Sequence, residues 1–130
     1  MTRVTRLATI ALALGLAVAP ASAEAASVGH TSARDGQLRD GCHNYRYRYV
    51  VKTPTNDWIL ETFLVDPRGQ TIASGTLSSD SDPRRGGARF RFCRYTTRAG
   101  VFTIRAKVHW YNDAGGHLRR FEPSTFRLRR

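Results

Sequence analysis

The stretch "GCHNYRYRYVVK", residues 41–52, alternates tyrosine with arginine, and "ARFRFCRY", residues 88–95, alternates phenylalanine with arginine. Successive side chains of a β-strand point to opposite faces, so each stretch predicts a strand with aromatic residues on one face and cations on the other. A platform for single-stranded nucleic acid needs both kinds of side chain on one surface. The alternation therefore favours two half-buried strands, and we expect no specific nucleic acid as a partner.

The start of the chain carries the pattern of a secretory signal peptide, residues 1–23. Arg3 and Arg6 supply positive charge, residues 7–19 are apolar, and Ala-Ser-Ala at 21–23 supplies the small residues that signal peptidase requires. A membrane-spanning helix needs about 20 apolar residues, more than this run contains. We expect cleavage after Ala23 and a secreted, extracellular chain, with an uncleaved membrane anchor as the alternative.

The chain has two cysteines, Cys42 and Cys93. In an exported protein the default expectation for such a pair is one disulfide bond. The bond would close a loop of 51 residues, and loop-closure entropy would then stabilise the fold by about 4 kcal/mol. The alternative is free thiols, or a catalytic cysteine beside His43, which an oxidising compartment disfavours.

The composition is strongly basic, with a formal net charge of +11. The field of such a chain attracts phosphate, acidic glycans and anionic envelope surfaces. Only Lys52 and Lys107 are lysines, and the excess of arginine is also what the codon bias of a GC-rich genome would produce. With the alanine-rich leader it indicates a high-GC Gram-positive bacterium, so charge alone does not establish a partner.

Short segments of period-2 alternation are separated by turn signals along most of the mature chain. Residues 24–41 are polar and dotted with glycine, which predicts a flexible lead-in with one weak edge strand near 37–39. The folded domain is expected at 42–130, with strands at 45–52, 58–65, 70–77, 88–95, 101–111, 118–121 and 126–128. This spacing predicts an all-β fold, a two-sheet antiparallel sandwich of six to seven strands.

A cysteine on an early strand, Trp58 on the next, a late cysteine and the run "AGVFTIRAKVHW", residues 99–110, together resemble immunoglobulin-like and fibronectin-III-like domains. The resemblance covers residues 42–128 and implies an immunoglobulin-like sandwich. In immunoglobulin domains the tyrosine corner lies two residues before the second cysteine, whereas Arg91 holds that place here. Cys93 is therefore expected one strand earlier, and the inter-sheet disulfide of antibodies is not assumed.

Strand parity predicts a register for the two aromatic strands. Cys42 shares its face with Arg46, and Cys93 shares its face with Arg89 and Arg91, so both sulfurs should point away from the aromatic face. A disulfide between neighbouring antiparallel strands then sets the following pairs opposite each other: Tyr45 and Phe90, Tyr47 and Ala88, His43 and Phe92, Arg46 and Arg89.

The opposed pair Arg46 and Arg89 is unfavourable, because like charges directly opposite each other in a sheet repel. We expect the pair to be splayed by strand twist, neutralised by a carboxylate such as Glu61, or used to hold an anion. The candidate anion-binding residues are Arg46, Arg48, Arg89 and Arg91.

No catalytic motif is present, and the carboxylates lie on turns or singly on strands, so we expect no enzyme activity and no cofactor. His109 and His117 flank the turn "NDAGG" and could face each other across a hairpin, but a zinc site needs three or four ligands. We therefore expect surface histidines and no metal site. The stretch "SDSDP", residues 79–83, lacks the glycine and glutamate of a calcium loop and predicts a flexible turn.

These patterns predict a secreted, non-enzymatic extracellular binding module whose basic surface meets an acidic partner: a wall polymer, an anionic surface or a protein. The alternatives are a small cationic secreted inhibitor or antimicrobial protein, and a structural accessory domain without a ligand. The sequence leaves the partner and the oligomeric state open.

Overall fold

The structure, a computed structural model, describes residues 27–130, so the predicted signal peptide at 1–23 lies outside the described residues. The strands are β1 (Gly29–Ser32), β2 (Gly36–Gln37), β3 (Cys42–Val51), β4 (Trp58–Val65), β5 (Thr71–Ser78), β6 (Arg85–Cys93), β7 (Gly100–Asn112), β8 (Gly115–Arg120) and β9 (Ser124–Arg129). A single 3₁₀ turn, Arg94–Thr96, joins β6 to β7.

The strands form two sheets. Sheet A has the order β1-β3-β6, and sheet B has the order β2-β9-β7-β4-β5, with β8 also paired to β7. All pairs are antiparallel except β2 with β9. The predicted all-β, two-sheet fold is confirmed: the seven strands predicted in residues 42–130 correspond to β3 to β9, and the weak edge strand expected near 37–39 lies next to β2. No helix in residues 27–130 is long and apolar enough to cross a membrane.

The segment before Cys42 differs in part from its prediction, because two stretches of it are paired strands of the sandwich. β1 pairs with β3, placing Gly29 opposite Val51, and β2 pairs with β9. Gly29 has a φ of 147°, and a Cβ there would collide with the Val50 carbonyl oxygen and the Phe121 ring. β2 lies near the weak edge strand expected at 37–39, whereas β1 is a paired strand where the sequence predicts a flexible lead-in, because backbone pairing holds a strand that carries few apolar side chains.

The inner faces of the two sheets meet in an aromatic core. Tyr45 stacks on Phe92 with ring centres 4.3 Å apart, and Tyr47 stacks on Phe90 at 4.2 Å. These are diagonal neighbours rather than directly opposed residues, an arrangement that long aromatic side chains reach in an antiparallel pair. Phe102 continues the stack into sheet B, with its ring centre 5.8 Å from that of Phe92.

Candidate anion-binding face

The pairing of β3 with β6 has the register that the sequence predicts. Cys42 lies opposite Cys93, and the other predicted pairs are also observed: His43 with Phe92, Tyr45 with Phe90, Arg46 with Arg89, and Tyr47 with Ala88. The aromatic members of these strands are buried and the arginines are exposed. The two strands therefore separate aromatic and cationic side chains onto opposite faces of sheet A.

The disulfide bond joins Cys42 and Cys93 within sheet A, as predicted. Cys42 is exposed and Cys93 is half-buried, so the bond lies on the outer face and not in the core between the sheets. It closes the end of the β3–β6 ladder, where the N–H of Arg94 donates to the carbonyl oxygen of Gly41 at 3.0 Å. The bond fixes the register of the outer arginines.

The hydrogen-bond pattern of the β3–β6 ladder determines how close the Cα atoms of Arg46 and Arg89 lie. The backbone bonds from Arg94 to Gly41 and from Val51 to Arg84 place the hydrogen-bonded pairs at the odd-numbered residues of β3. Arg46 and Arg89 therefore form a non-hydrogen-bonded pair, the class in which Cα atoms are only about 4.5 Å apart. The Cα atoms of these two arginines thus have the shortest separation that opposed residues have in an antiparallel sheet.

Five arginines form what we call the basic face, the outer face of β3 and β6. Its members are exposed: Arg46, Arg48, Arg85, Arg89 and Arg91. From the row that holds Arg91 to the row that holds Arg85 the ladder advances six residues, or roughly 20 Å at about 3.4 Å per residue. The arginines thus make a stripe along the sheet.

Acidic side chains are absent from the strands of sheet A, where the sequences are GHTS, CHNYRYRYVV and RGGARFRFC. Glu61, expected as a neutralising partner for Arg46 and Arg89, is on β4 of sheet B. Its Oε2 lies 3.3 Å from both Lys107 Nζ and His109 Nε2. Glu61 cannot neutralise the basic face because the core separates the two, and that expectation is corrected.

The outer face of sheet B provides an internal comparison, and we call it the control face. It also carries cations: Arg105, Lys107, Arg120, Arg127 and Arg129. They are spread over three strands, and Lys107 is paired with Glu61 and lies 5.7 Å from the centre of the Phe63 ring. The two faces have similar cation content but different charge compensation.

The two histidines of the predicted turn region do not face each other. The β7–β8 hairpin pairs His109 with Leu118 and Trp110 with His117, so the histidines lie on opposite faces. His117 stacks on Trp110 with ring centres 5.2 Å apart, and His109 contacts Glu61. The arrangement does not bring the two rings to a common ligand.

The sequence pattern does not indicate Arg84 and Arg85, because the strand that it predicts at 88–95 begins at Ala88, three residues after the start of β6. Arg85 belongs to β6 and extends the basic face. The guanidinium of Arg84 instead turns to the β3–β4 loop, where it donates to Thr55 O at 2.6 Å and to Asn56 Oδ1 at 2.7 Å. The alternation of Phe90 and Phe92 with arginines predicts this strand. The alternation does not extend back through Gly86 and Gly87, so it does not show where the strand begins.

Comparison with known proteins adds no assignment. No protein-family model matches the chain, and no curated protein matches its sequence.

Proposed function

We propose that the chain is a secreted, non-enzymatic binding module that holds an acidic partner on its basic face. The observation that carries the proposal is the exposed arginine stripe on β3 and β6, in a sheet whose strands contain no acidic residue. The signal-peptide pattern and the disulfide bond support export to an oxidising compartment.

The Arg46–Arg89 pair favours an anion ligand over a purely structural role. Opposed like charges lower the stability of a sheet, so a fold selected for stability alone would avoid them. A phosphate or carboxylate between the two guanidinium groups would turn this repulsion into charge-assisted hydrogen bonds. The length of the stripe suits a linear polyanion that presents several charges in succession.

We further propose that the domain is immunoglobulin-like. The order β1-β3-β6 matches strands A, B and E of that fold, and β9-β7-β4-β5 matches G, F, C and C′. Trp58 is buried on the strand that corresponds to C, which also supports the proposal. The disulfide differs, since it joins the counterparts of B and E instead of B and F.

Retention on an immobilised acidic wall polymer, measured against rising salt, tests the proposed function. The test variant replaces Arg46, Arg48, Arg89 and Arg91 by Ser; the control variant replaces Arg105, Arg120, Arg127 and Arg129 on the control face by Ser. Both variants lose the same charge. We expect the test variant to elute at much lower salt than the control, because the basic face holds the polymer and exposed charges are screened within about 8 Å at physiological ionic strength.

Equal losses in the two variants would mean that only net charge matters, and would contradict the proposal. Retention that does not depend on salt would also contradict it.

A further inference from the structure

A groove opens where the chain crosses from sheet A to sheet B, and we call it the crossing groove. β1 ends at Ser32, opposite Arg48, and β2 begins at Gly36, opposite Leu128 of β9. The edge of β3 before Arg48 therefore has no paired residue from β1. The resulting gap has a volume of about 310 Å³.

The floor of the crossing groove is apolar. Tyr45 of sheet A and Phe126 and Leu128 of sheet B line it. They are 9%, 6% and 3% exposed, so only the edges of these three side chains reach the groove. A ligand with an organic moiety could cover this floor, whereas a bare inorganic anion would leave it in contact with water.

The rim of the groove is cationic, with Arg34, Arg39 and Arg46 among the lining residues. Arg39 is held in place: its Nη2 donates to Asn44 O at 3.3 Å, and its guanidinium carbon lies 5.7 Å from the centre of the Tyr45 ring. The Arg39 backbone N–H also donates to the Tyr45 hydroxyl at 3.2 Å. One guanidinium is thus positioned before any ligand arrives.

Among residues 27–130, no acidic side chain lines the crossing groove. Asp35 follows Arg34 directly, but its Oδ1 accepts a hydrogen bond from the backbone N–H of Arg127 at 2.8 Å. Among the described residues the ion pairs join Arg94 to Asp40 and Glu61 to Lys107 and His109, so none uses a rim arginine. None of the three rim arginines is held in an ion pair.

We infer that the crossing groove binds a phosphate ester, with the phosphate between Arg34, Arg39 and Arg46 and the organic part against the exposed edges of Tyr45, Phe126 and Leu128. Phosphate suits this rim because its several oxygens accept hydrogen bonds from more than one guanidinium fork. The inference rests on the proposed function, because Arg46 belongs to both the groove and the basic face. The groove would hold one phosphate of a polymer that continues along the arginine stripe.

The test is an NMR titration of the chain, from which the signal sequence has been removed, with phenyl phosphate and, separately, inorganic phosphate. We expect phenyl phosphate to bind about threefold more tightly than inorganic phosphate, the factor that burial of roughly 25 Å² of apolar surface provides. The largest chemical-shift changes should fall on Arg39, Tyr45 and Leu128. Equal affinities, or changes elsewhere on the surface, would overturn the inference.

Two charge-matched variants separate the groove from the basic face. In R34S/R39S we expect phenyl phosphate affinity to fall at least tenfold while most retention on the wall polymer persists. In R89S/R91S we expect the reverse. If both variants lose phenyl phosphate equally, the groove is not the site and the inference fails, even where polymer binding still supports the proposed function. If phenyl phosphate binds in the groove but no polymer is retained, the proposed function fails.

Discussion

At the scale of single residues, a hydroxyl relay joins the two sheets. The Tyr47 hydroxyl lies 2.7 Å from Thr62 Oγ1, and Thr62 Oγ1 lies 3.4 Å from the Gly75 carbonyl oxygen. Burial raises the pKa of Tyr47 above its ordinary value, so the phenol keeps its proton to a higher pH than an exposed tyrosine does. A Cβ at Gly75 would lie 3.2 Å from the Tyr47 hydroxyl and 3.1 Å from Thr62 Oγ1. Gly75 therefore leaves the space that the relay needs.

We expect Tyr47→Phe to destabilise the fold by about 1–2 kcal/mol, because it removes a buried hydrogen bond. Gly75→Ala should cost about 1–3 kcal/mol through overpacking. The double variant should be less destabilised than the sum of the two, since losing the hydroxyl makes room for the methyl group. Urea unfolding of wild type, the two single variants and the double variant measures the coupling free energy between Tyr47 and Gly75. Strict additivity would show that the hydroxyl and the added methyl group do not share this space.

Arg84 is the residue whose structural role the sequence does not reveal. Its guanidinium donates to carbonyl oxygens of Val51, Thr53 and Thr55 and to the Asn56 side chain, and so holds the β3–β4 loop. All of these partners are uncharged, which distinguishes the arrangement from an ion pair.

We expect Arg84→Ala to lower the free energy of unfolding by about 2 kcal/mol, and Arg84→Lys to recover little, because an ammonium cannot reproduce the planar fork. Arg85→Ala is the control. Arg85 is the exposed neighbour of Arg84, so its replacement should change the free energy of unfolding by no more than about 0.5 kcal/mol. Thermal unfolding distinguishes the three variants. Full recovery in the lysine variant would mean that charge, and not fork geometry, holds the loop.

Asp66 gives the fold a defined acid sensitivity. Its side chain is buried, which by itself raises the pKa, but N–H groups of Gln70 and Arg68 and the Thr97 hydroxyl donate to it, and together they lower the pKa below its ordinary value. In the acid range the unfolded chain therefore binds a proton more readily than the folded chain. The stabilisation is complete above the unfolded pKa of about 4 and is lost as pH falls through the folded pKa.

We expect the difference in unfolding free energy between wild type and Asp66→Asn to be largest near neutral pH and to shrink below about pH 4. Urea titrations at a series of pH values measure it. A difference that stays constant down to pH 2 would contradict the assigned hydrogen bonds.

At the scale of elements, the β3–β6 ladder was predictable because two independent constraints agree on one register. Aromatic–arginine alternation fixes which face is buried, and the cysteines fix which residues are opposed. β1 was not predictable in the same way, and for β2 the sequence indicates only a weak edge strand near 37–39. Their membership depends on backbone pairing and on the space at Gly29, neither of which leaves an apolar pattern in "VGHTSARDGQ". The crossing groove exists only because of those two strands, so the sequence could not indicate it.

The same ladder makes a prediction in which stability and binding change in opposite directions. Arg46→Thr and Arg89→Thr should each raise the free energy of unfolding by about 0.2–1 kcal/mol at low salt, because each removes a like-charge pair. The double variant should gain less than the sum, and the gains should shrink in high salt. All three variants should bind the acidic polymer more weakly. A loss of stability in the single variants would mean that the pair is not repulsive.

At the scale of the whole molecule, charge is distributed unevenly between the two faces of the sandwich. Within the strands of residues 27–130, Glu61 is the one acidic residue, and it belongs to the control face. Codon bias would raise arginine content on both faces alike. It does not account for a carboxylate on one face and none on the other. The asymmetry is the property that the proposed function uses.

The most direct test of the central claim is a ¹⁵N NMR titration that follows the arginine side-chain N–H signals as a soluble phosphodiester polymer is added. We predict that the signals of Arg46, Arg48, Arg89 and Arg91 shift together at the lowest polymer concentrations, while those of Arg105, Arg120, Arg127 and Arg129 change little. Equal shifts on both faces, or shifts confined to the control face, would contradict the account.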